Sequence, residues 1–291
     1  MYDFIVKLGI EIPAKSEFVE LGNATALYHE NEKFWQLNFE RGMLLYALVS
    51  KYKPLNILEF GTGGGYSTLI MAKALHDNKI DGKVFTIDSM SIHKKHIRPV
   101  CIGSESPRLE MTTVYDIWKK MAPSNWTEKI ILLNGYAREI FDKYKFPKID
   151  FAYIDGAHFY QGVKHDFYSL LTVSSKNFGV LFDDYGAREH YGVKRLLDEL
   201  DAEFDITLID TDLNRDLIKL NAINNEEYGM CWLNFYNSKQ TIDISFFNEI
   251  PKFIKKYRKI EKRIKLRVFI NDYFPFLKKI IRYFRTKTNK K

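Results

Sequence analysis

Short apolar runs alternate with helical patterns through most of the chain. This alternation is typical of a mostly parallel sheet with helices packed on its faces. We therefore predict an α/β fold with seven strands. The candidate strands are Leu55–Phe60, Lys83–Ile87, Lys129–Leu133, Asp150–Ile154, Gly179–Phe182, Ile206–Ile209 and Gly229–Phe235.

Two helices stand out by their apolar periodicity. Val193, Leu196, Leu197 and Leu200 recur at the spacing of one helix face. Residues Glu32–Lys51 also predict a helix, with Leu44, Leu45 and Leu48 sharing a face. The 30 or so residues before it look irregular and are expected to fold over the body.

One connection is longer than a single crossover helix requires. Residues Ser89–Glu128 separate the second and third strands by 40 positions. Long insertions in compact domains often form lids or binding loops, although a solvated surface excursion is the alternative. The predicted organisation is an N-terminal segment over 1–30, a main domain over 31–250 with a substrate lid at about 89–128, and a tail over 251–291.

The composition fits a folded chain. Of its 291 residues, 46% are apolar and 28% are charged. No apolar run approaches the ~18 residues of a membrane span, and the first residues lack the pattern of a secretory signal. Two cysteines, Cys101 and Cys231, cannot build a disulfide scaffold. A cytoplasmic, reducing location is therefore expected.

Charge is distributed unevenly along the chain. Residues 252–291 contain 16 Lys and Arg against 2 Asp and Glu, while the rest of the chain carries a net charge of −7. Such an asymmetry indicates a separate appendage. An acidic body also argues against a basic nucleic-acid groove across it.

The tail has the pattern of an amphipathic helix. Phe253, Tyr257, Ile260 and Ile264 form an apolar stripe, with Lys and Arg at most other positions. A basic amphipathic helix can lie on an anionic membrane, here the inner membrane surface. Packing on the body or on another subunit and, less well supported, nucleic-acid binding are the alternatives. Whether the protein forms a homo-oligomer is open.

A glycine-rich turn follows the first strand. The sequence ILEFGTGGGYST places Gly61, Gly63 and Gly65 between a strand and a helix. Glycines there permit a positive φ and let a ligand approach the backbone. The spacing differs from the G-x-G-x-x-G turn that places a pyrophosphate at a helix N-terminus.

Two carboxylates narrow the range of ligands that this turn could bind. Glu59 lies two residues before Gly61, where it would repel a pyrophosphate but suits a cation. Asp88 ends the next strand, where an acid can accept hydrogen bonds from ribose hydroxyls. S-adenosylmethionine (SAM) has an amino group, a sulfonium and a ribose but no phosphate, and it fits this pattern.

This E-x-G-x-G-x-G pattern, with an acid ending the second strand, resembles the class I SAM-dependent methyltransferases. The resemblance implies a Rossmann-like, doubly wound sheet with an antiparallel last strand. It also implies that the turn Asn134–Ala137 flanks the adenine. The predicted cofactor-binding residues are Glu59, Gly61, Thr62, Gly63, Gly65, Tyr66, Ser67, Asp88, Gly135, Tyr136, Ala137 and Asp155. A tight turn without a ligand is the structural alternative.

Acidic residues end two later strands. Asp155 follows FAYI, with His158 three residues on, and VLF is followed by Asp183 and Asp184. Carboxylates that converge at one sheet edge repel each other unless a cation joins them. Oxygen ligands of this kind suit Mg²⁺, Ca²⁺ or Mn²⁺. In a regular strand, however, Asp183 and Asp184 would point to opposite faces.

The sequence IDGAH, followed by FDDY and GVKRLLDEL, resembles the macrocin and cephalosporin-pathway branch of metal-dependent O-methyltransferases. The likeness runs from about Asn31 to Leu200. By position it implies that Asp155, Asp183 and Asp184 hold a divalent metal, Mg²⁺ in the first instance. It also implies that His158 is the general base beside a catalytic Asp155. Ala157 departs from the acidic or polar residue expected there.

The implied activity is O-methylation of a small or glycosylated acceptor. A metal-free O- or N-methyltransferase is the alternative within the fold, since Asp155 could cap a helix and Asp183 could lie near the sulfonium. A non-catalytic SAM-fold module that binds a partner is the alternative from another class. His165, seven residues after His158, is expected on the surface.

Overall fold

The computed structural model describes residues 1–26, 28–29, 33–34, 39–102, 108–185, 192–200, 204, 206–210, 229–236 and 244–273. The helices of this part of the chain are α1 Tyr2–Leu8, α2 Lys15–Ala24, α3 Phe39–Tyr52, α4 Tyr66–Asp77, α5 Val114–Met121, α6 Ser124–Thr127, α7 Ala137–Lys143, α8 Tyr160–Val173, α9 Val193–Leu200 and α10 Ile244–Tyr273.

The strands are β1 Tyr28–His29, β2 Lys33–Phe34, β3 Asn56–Phe60, β4 Lys83–Asp88, β5 His96–Val100, β6 Arg108–Thr112, β7 Ile130–Asn134, β8 Ile149–Ile154, β9 Ser174–Tyr185, β10 Ile206–Asp210 and β11 Gly229–Asn234. Seven of them form one sheet in the order β10-β11-β9-β8-β3-β4-β7. Strand β11 is antiparallel to both of its neighbours. The predicted doubly wound sheet with an antiparallel last strand is confirmed.

The strand order reverses at the middle of the sheet. Strand β3 pairs in parallel with β4 on one side and with β8 on the other. Ligands of open α/β sheets bind beyond the carboxyl ends of the strands at this switch point. The glycine turn after β3 and Asp155 after β8 are the residues that lie there.

The N-terminal residues are helical, so the expectation of an irregular opening segment is wrong. Helices α1 and α2 contribute Ile5, Leu8, Phe18 and Leu21 to the main apolar core. The Phe18 ring meets the Tyr46 ring of α3 edge to face, with centroids 6.0 Å apart. These helices therefore complete the core on the side of α3 and α4.

The predicted helix over Glu32–Lys51 begins later than expected. Lys33–Phe34 instead pair with Tyr28–His29 as a short antiparallel ladder. Helix α3 begins at Phe39. Its apolar residues are buried nearly all round, which places this helix inside the protein.

The long insertion has its own secondary structure. Strands β5 and β6 form an antiparallel hairpin, followed by α5 and α6. Trp118 of α5 is buried, and its indole N–H donates a hydrogen bond to the Gly64 carbonyl at 3.0 Å. The insertion therefore packs directly on the glycine turn.

The chain divides into two compact units, Met1–Thr241 and Ile242–Lys291. The second unit contains α10, which begins at Ile244, before the predicted start of the tail at residue 251. The predicted helical tail is confirmed over the described residues. None of the described helices is both long enough and apolar enough to span a bilayer.

The packing of α2 predicts that Phe18→Ala lowers the free energy of unfolding by about 3–5 kcal/mol, because a fully buried ring is removed. Val6→Ala on α1 is the control, since Val6 is 76% exposed. Its effect should stay within about 0.5 kcal/mol. Urea denaturation measures both, and equal effects would contradict the assignment of α2 to the core.

Candidate active site

The turn after β3 depends on glycines with positive φ. The φ angles are 94° at Gly61, 53° at Gly63 and 89° at Gly65. A Cβ at Gly61 would lie 2.2 Å from the carbonyl oxygen of Asp155, and one at Gly65 would lie 2.1 Å from the Trp118 ring. Glycine is therefore required for the close approach of β3 to β8 and of the turn to α5.

Glu59 lies beneath this turn rather than in the cleft. Its side chain is fully buried and accepts hydrogen bonds from the hydroxyls of Ser67 and Thr68 at 2.5 Å. Burial raises the pKa of Glu59 to about 7, against the opposing effect of these hydrogen bonds. This placement joins the end of β3 to the start of α4 and does not support a direct contact with a ligand.

Tyr66 and Ser67 also turn away from the cleft. The Tyr66 hydroxyl donates to the Phe39 carbonyl at 2.6 Å within the core, and Ser67 is bonded to Glu59. Their predicted cofactor contacts are therefore not available to these side chains. What they can offer is the backbone N–H groups of the first turn of α4, which have no partners within the helix.

Asp88 closes the other side of the turn. Its Oδ2 accepts hydrogen bonds from the backbone N–H groups of Thr62 at 3.1 Å and Gly63 at 2.9 Å. Its Oδ1 accepts one from Met90 at 2.7 Å. Two carboxylate oxygens offer about four acceptor positions, so Asp88 keeps capacity for ribose hydroxyls.

The predicted adenine turn lies beside Asp88. The Gly135 N–H donates to the Asp88 carbonyl at 2.8 Å. Tyr136 precedes the first turn of α7, and Ala137 is its first residue. The structure therefore brings Gly61, Thr62, Gly63, Asp88 and the turn Gly135–Ala137 to one edge of the sheet.

A β-bulge sets the directions of Asp183 and Asp184. Phe182 pairs with Cys231 and Tyr185 pairs with Gly229, so two aspartates lie opposite the single residue Met230. Asp184 has a φ of 60°, which is uncommon for a residue other than glycine. The bulge breaks the strand alternation that would send the two side chains to opposite faces.

Arg41 of α3 bridges the two strand ends. Its Nη1 donates to Asp155 Oδ2 at 3.2 Å and to Asp183 Oδ2 at 2.7 Å. The Tyr153 hydroxyl also donates to Asp183 Oδ2, at 2.7 Å. Burial lowers the pKa of Arg41, but Tyr153, Asp155 and Asp183 outweigh it and raise the pKa above its usual value, so this guanidinium is a permanent charge.

His158 pairs with the remaining aspartate. Its Nδ1 lies 2.7 Å from Asp184 Oδ2. Burial lowers the pKa of His158, but the hydrogen bond and the charge of Asp184 outweigh it, and the net shift is upward. For Asp155, burial and the charge of Asp183 raise the pKa against the effect of Arg41.

The loop that carries His158 is anchored from α8. The buried carboxylate of Asp166 accepts a hydrogen bond from the Ala157 backbone and lies 3.3 Å from His165 Nδ1. His165 is only 1% exposed, so the expectation of a surface residue is wrong. Its buried ring lies beside the Asp166 carboxylate that anchors the loop.

A metal fits this site with a different ligand set from the predicted one. Donor atoms of Asp155, His158 and Asp184 all lie within 4.8 Å of one another. Asp183 has both oxygens engaged, one by Arg41 and Tyr153 and the other by the Asp184 N–H. Two carboxylates and an imidazole are suitable donors for a divalent cation.

Sequence reasoning missed Arg41 and Tyr153. A signal for Arg41 was present, because it lies three and four residues before Leu44 and Leu45, on the apolar face of the predicted helix. A charged residue at such a position requires a buried partner of opposite charge. Tyr153 has no comparable signal, since an aromatic residue in a buried strand is ordinary.

The insertion contributes a further cation near the cofactor edge. Arg98 of β5 is 7% exposed, and its Nε has no hydrogen-bond partner among the described residues. Burial lowers the pKa of Arg98, while the charge of Asp88 opposes the shift. The insertion therefore brings both Trp118 and a buried positive charge to this edge of the sheet.

The part of the chain that contains this site matches a known family. Residues 58–185 match the family model described as a methyltransferase domain, which spans the glycine turn, Asp155 and the bulge. A curated relative, the uncharacterized protein y4gI of Sinorhizobium fredii, is 28% identical over 157 residues. That alignment covers 53% of this chain and 16% of the relative, so the chain spans a small part of that protein.

Solved structures share the fold. The O-methyltransferase TomG from Streptomyces achromogenes, in complex with SAM, has a TM-score of 0.52 and 17% identity, covering 80% of this chain and 95% of TomG. The Bacillus cereus O-methyltransferase in complex with SAH has a TM-score of 0.51 and 18% identity, covering 80% and 96%. At identities this low, the structural likeness shows a common fold and nothing more.

The position of Glu59 predicts a pH-dependent stability. Its usual pKa is 4.5, and in the folded protein it is about 7, so its contribution is complete below pH 4.5 and is lost as the pH rises through 7. We expect the unfolding free energy of the wild type to fall relative to Glu59→Gln by up to about 3 kcal/mol over this range. Denaturant titrations at several pH values measure the difference, and a constant difference would contradict the prediction.

Proposed function

We propose that this protein is a class I SAM-dependent methyltransferase and that it transfers a methyl group to a hydroxyl of a small or glycosylated acceptor. The observation that carries the proposal is the His158–Asp184 pair beside Asp155, at the strand ends next to the glycine turn. The names of the two O-methyltransferases of like fold support oxygen as the acceptor atom.

The residues that would hold the cofactor surround the switch point. Asp88 would accept hydrogen bonds from the ribose hydroxyls, and the turn at Gly135–Ala137 would flank the adenine. The backbone of Gly61–Gly65 allows close approach, since three of its glycines adopt positive φ. When bound, SAM supplies an electrophilic methyl group on a sulfonium.

In this proposal, His158 accepts the proton of the acceptor hydroxyl. Donation of Nδ1–H to Asp184 Oδ2 fixes the tautomer whose Nε2 accepts a proton. His158 Nε2 would take the proton of the acceptor hydroxyl, so that the oxygen could bond to the methyl carbon of SAM and leave the carbon–sulfur electron pair on S-adenosylhomocysteine.

Arg41 has an electrostatic role in this scheme. By pairing with Asp155 and Asp183, it limits the negative charge that faces the acceptor oxygen. Excess negative charge at this point would oppose formation of the oxyanion. The pair also fixes the start of α3 against the ends of β8 and β9, which holds the acceptor side of the cleft in place.

A divalent cation would be held by Asp155, His158 and Asp184; Mg²⁺ is the cation that the resemblance implies, although an imidazole donor suits Zn²⁺ or Fe²⁺ better. The cation would lower the pKa of a bound acceptor hydroxyl. In that form His158 is a ligand, whereas in a metal-free form it is the base. Turnover that is lost with EDTA and restored with Mg²⁺ favours the first form, and turnover that EDTA leaves unchanged favours the second.

The acceptor class follows from the resemblance to enzymes of glycosylated natural products. The insertion over 89–128, docked on the turn through Trp118, would shape the acceptor pocket. Arg98 of the same insertion adds a buried positive charge near Asp88, at the cofactor edge. Methyl glycosides and phenols test hydroxyl acceptors, and matched amines test the N-methyltransferase alternative.

His158→Gln is expected to lower kcat by about 10²- to 10⁴-fold with a hydroxyl acceptor from this panel, because the proton acceptor is lost. SAM affinity should stay within about twofold, since His158 lies outside the proposed cofactor contacts. S-adenosylhomocysteine release measures kcat, and calorimetry measures SAM binding.

His76→Gln is the control for this substitution, because His76 lies on α4 and contacts Asn125 rather than the cleft. It should keep wild-type turnover. Unchanged turnover in His158→Gln would remove the proposed base. Methylation of amines alone would replace the O-methyltransferase assignment, and absence of SAM binding to folded protein would remove the catalytic proposal.

A further inference from the structure

Helix α10 has a covered face. Ile250, Tyr257 and Glu261 are 2%, 7% and 2% exposed, and Phe253 and Ile264 are half-buried. These positions recur at the spacing of one side of a helix. The apolar stripe expected from the sequence is therefore partly covered, which leaves little of it to insert into a bilayer.

The opposite face is exposed and strongly basic. Its charged residues extend over about four turns, or about 22 Å of helix at 1.5 Å per residue. Between residues 252 and 270, the one acidic residue is Glu261, on the covered face. The exposed basic residues of this face are Lys252, Lys255, Lys256, Lys259, Lys262, Arg263 and Arg267.

We propose that this basic face of α10 docks the protein on an anionic lipid surface by electrostatic attraction. The partner is chosen by charge complementarity. Each Lys or Arg near an anionic leaflet adds to adsorption, and a row of seven falls within the range of about four to eight that is typical of polybasic lipid-binding clusters. Since the apolar stripe is partly covered, the mode is adsorption and not the insertion usual for amphipathic helices.

Two further observations favour lipid over nucleic acid. Leu266 is 59% exposed within the basic face, where it can contact lipid. Proteins that bind single strands place aromatic side chains along the basic groove to stack on bases. Here Phe253 and Tyr257 lie on the covered side, so the basic face between Lys252 and Arg267 has no aromatic row.

The test is sedimentation of the full chain with vesicles of phosphatidylcholine, with or without phosphatidylglycerol. We expect binding to the anionic vesicles alone, and a steady loss of binding as salt is raised, because exposed charges are screened. The quadruple variant Lys252→Gln, Lys255→Gln, Lys259→Gln, Lys262→Gln should bind at least about 100-fold more weakly.

A matched variant controls for net charge. Lys7→Gln, Lys143→Gln, Lys145→Gln, Lys176→Gln removes four exposed lysines from the first unit. It should bind anionic vesicles within about threefold of the wild type if position, and not total charge, decides. Circular dichroism shows whether each variant keeps the wild-type helix content.

Several results would overturn the proposal. They are no binding of the wild type to anionic vesicles, equal binding to neutral ones, or equal losses in the two quadruple variants. Tighter binding of the wild type to a single-stranded or duplex DNA oligonucleotide at the same salt, through the same four lysines, would reassign the face to nucleic acid. None of these outcomes depends on whether methyl transfer occurs.

Discussion

The site depends on the pairing of one largely buried cation, Arg41, with the carboxylates of Asp155 and Asp183. Parallel strands end at the same edge of the sheet, so Asp155 and Asp183 lie close together by construction of the fold. Two carboxylates in such a place cannot both stay ionised without a counter-charge. Arg41 supplies it from α3, and the Tyr153 hydroxyl adds a second donor to Asp183. The same contacts fix α3 against the strand ends.

This pairing gives each of the three aspartates different partners. Asp183 is committed to Arg41 and Tyr153, whereas the bulge in β9 turns Asp184 toward His158. Asp155 lies between the two groups and reaches both. The result is a histidine with a fixed tautomer next to the turn at which a cofactor would bind. The anchor through Asp166 and His165 holds that histidine from below.

The periodicity and the glycine turn were sufficient to predict the sheet. The strand runs and the turn were confirmed because each is a local pattern within a few residues, whereas the antiparallel last strand, also confirmed, had been implied by the family resemblance. The directions of the side chains could not be predicted from local patterns in this way. Glu59 and Tyr66 belong to the predicted motif, yet their side chains point away from the proposed ligand. Glu59 is buried against Ser67 and Thr68, and Tyr66 is hydrogen-bonded to Phe39. The helical N-terminus was missed because its apolar residues gain their burial only against α3.

The partners of Arg41 could not be predicted from the sequence. Its position on an apolar helix face required a buried partner, but nothing in the sequence said that the partners lie 114 and 142 residues away. The bulge at Asp183 and Asp184 is set by pairing with β11, so it too depends on a distant segment.

The most direct measurement of the central claim is a double-mutant cycle of unfolding free energies with Arg41→Met and Asp183→Asn. Removing one partner of a buried ion pair costs about 3–5 kcal/mol, because the other charge is left uncompensated. The account predicts that the double variant is more stable than the sum of the single effects by at least about 1 kcal/mol. Strictly additive effects would show that Arg41 does not neutralise Asp183 and would contradict the account.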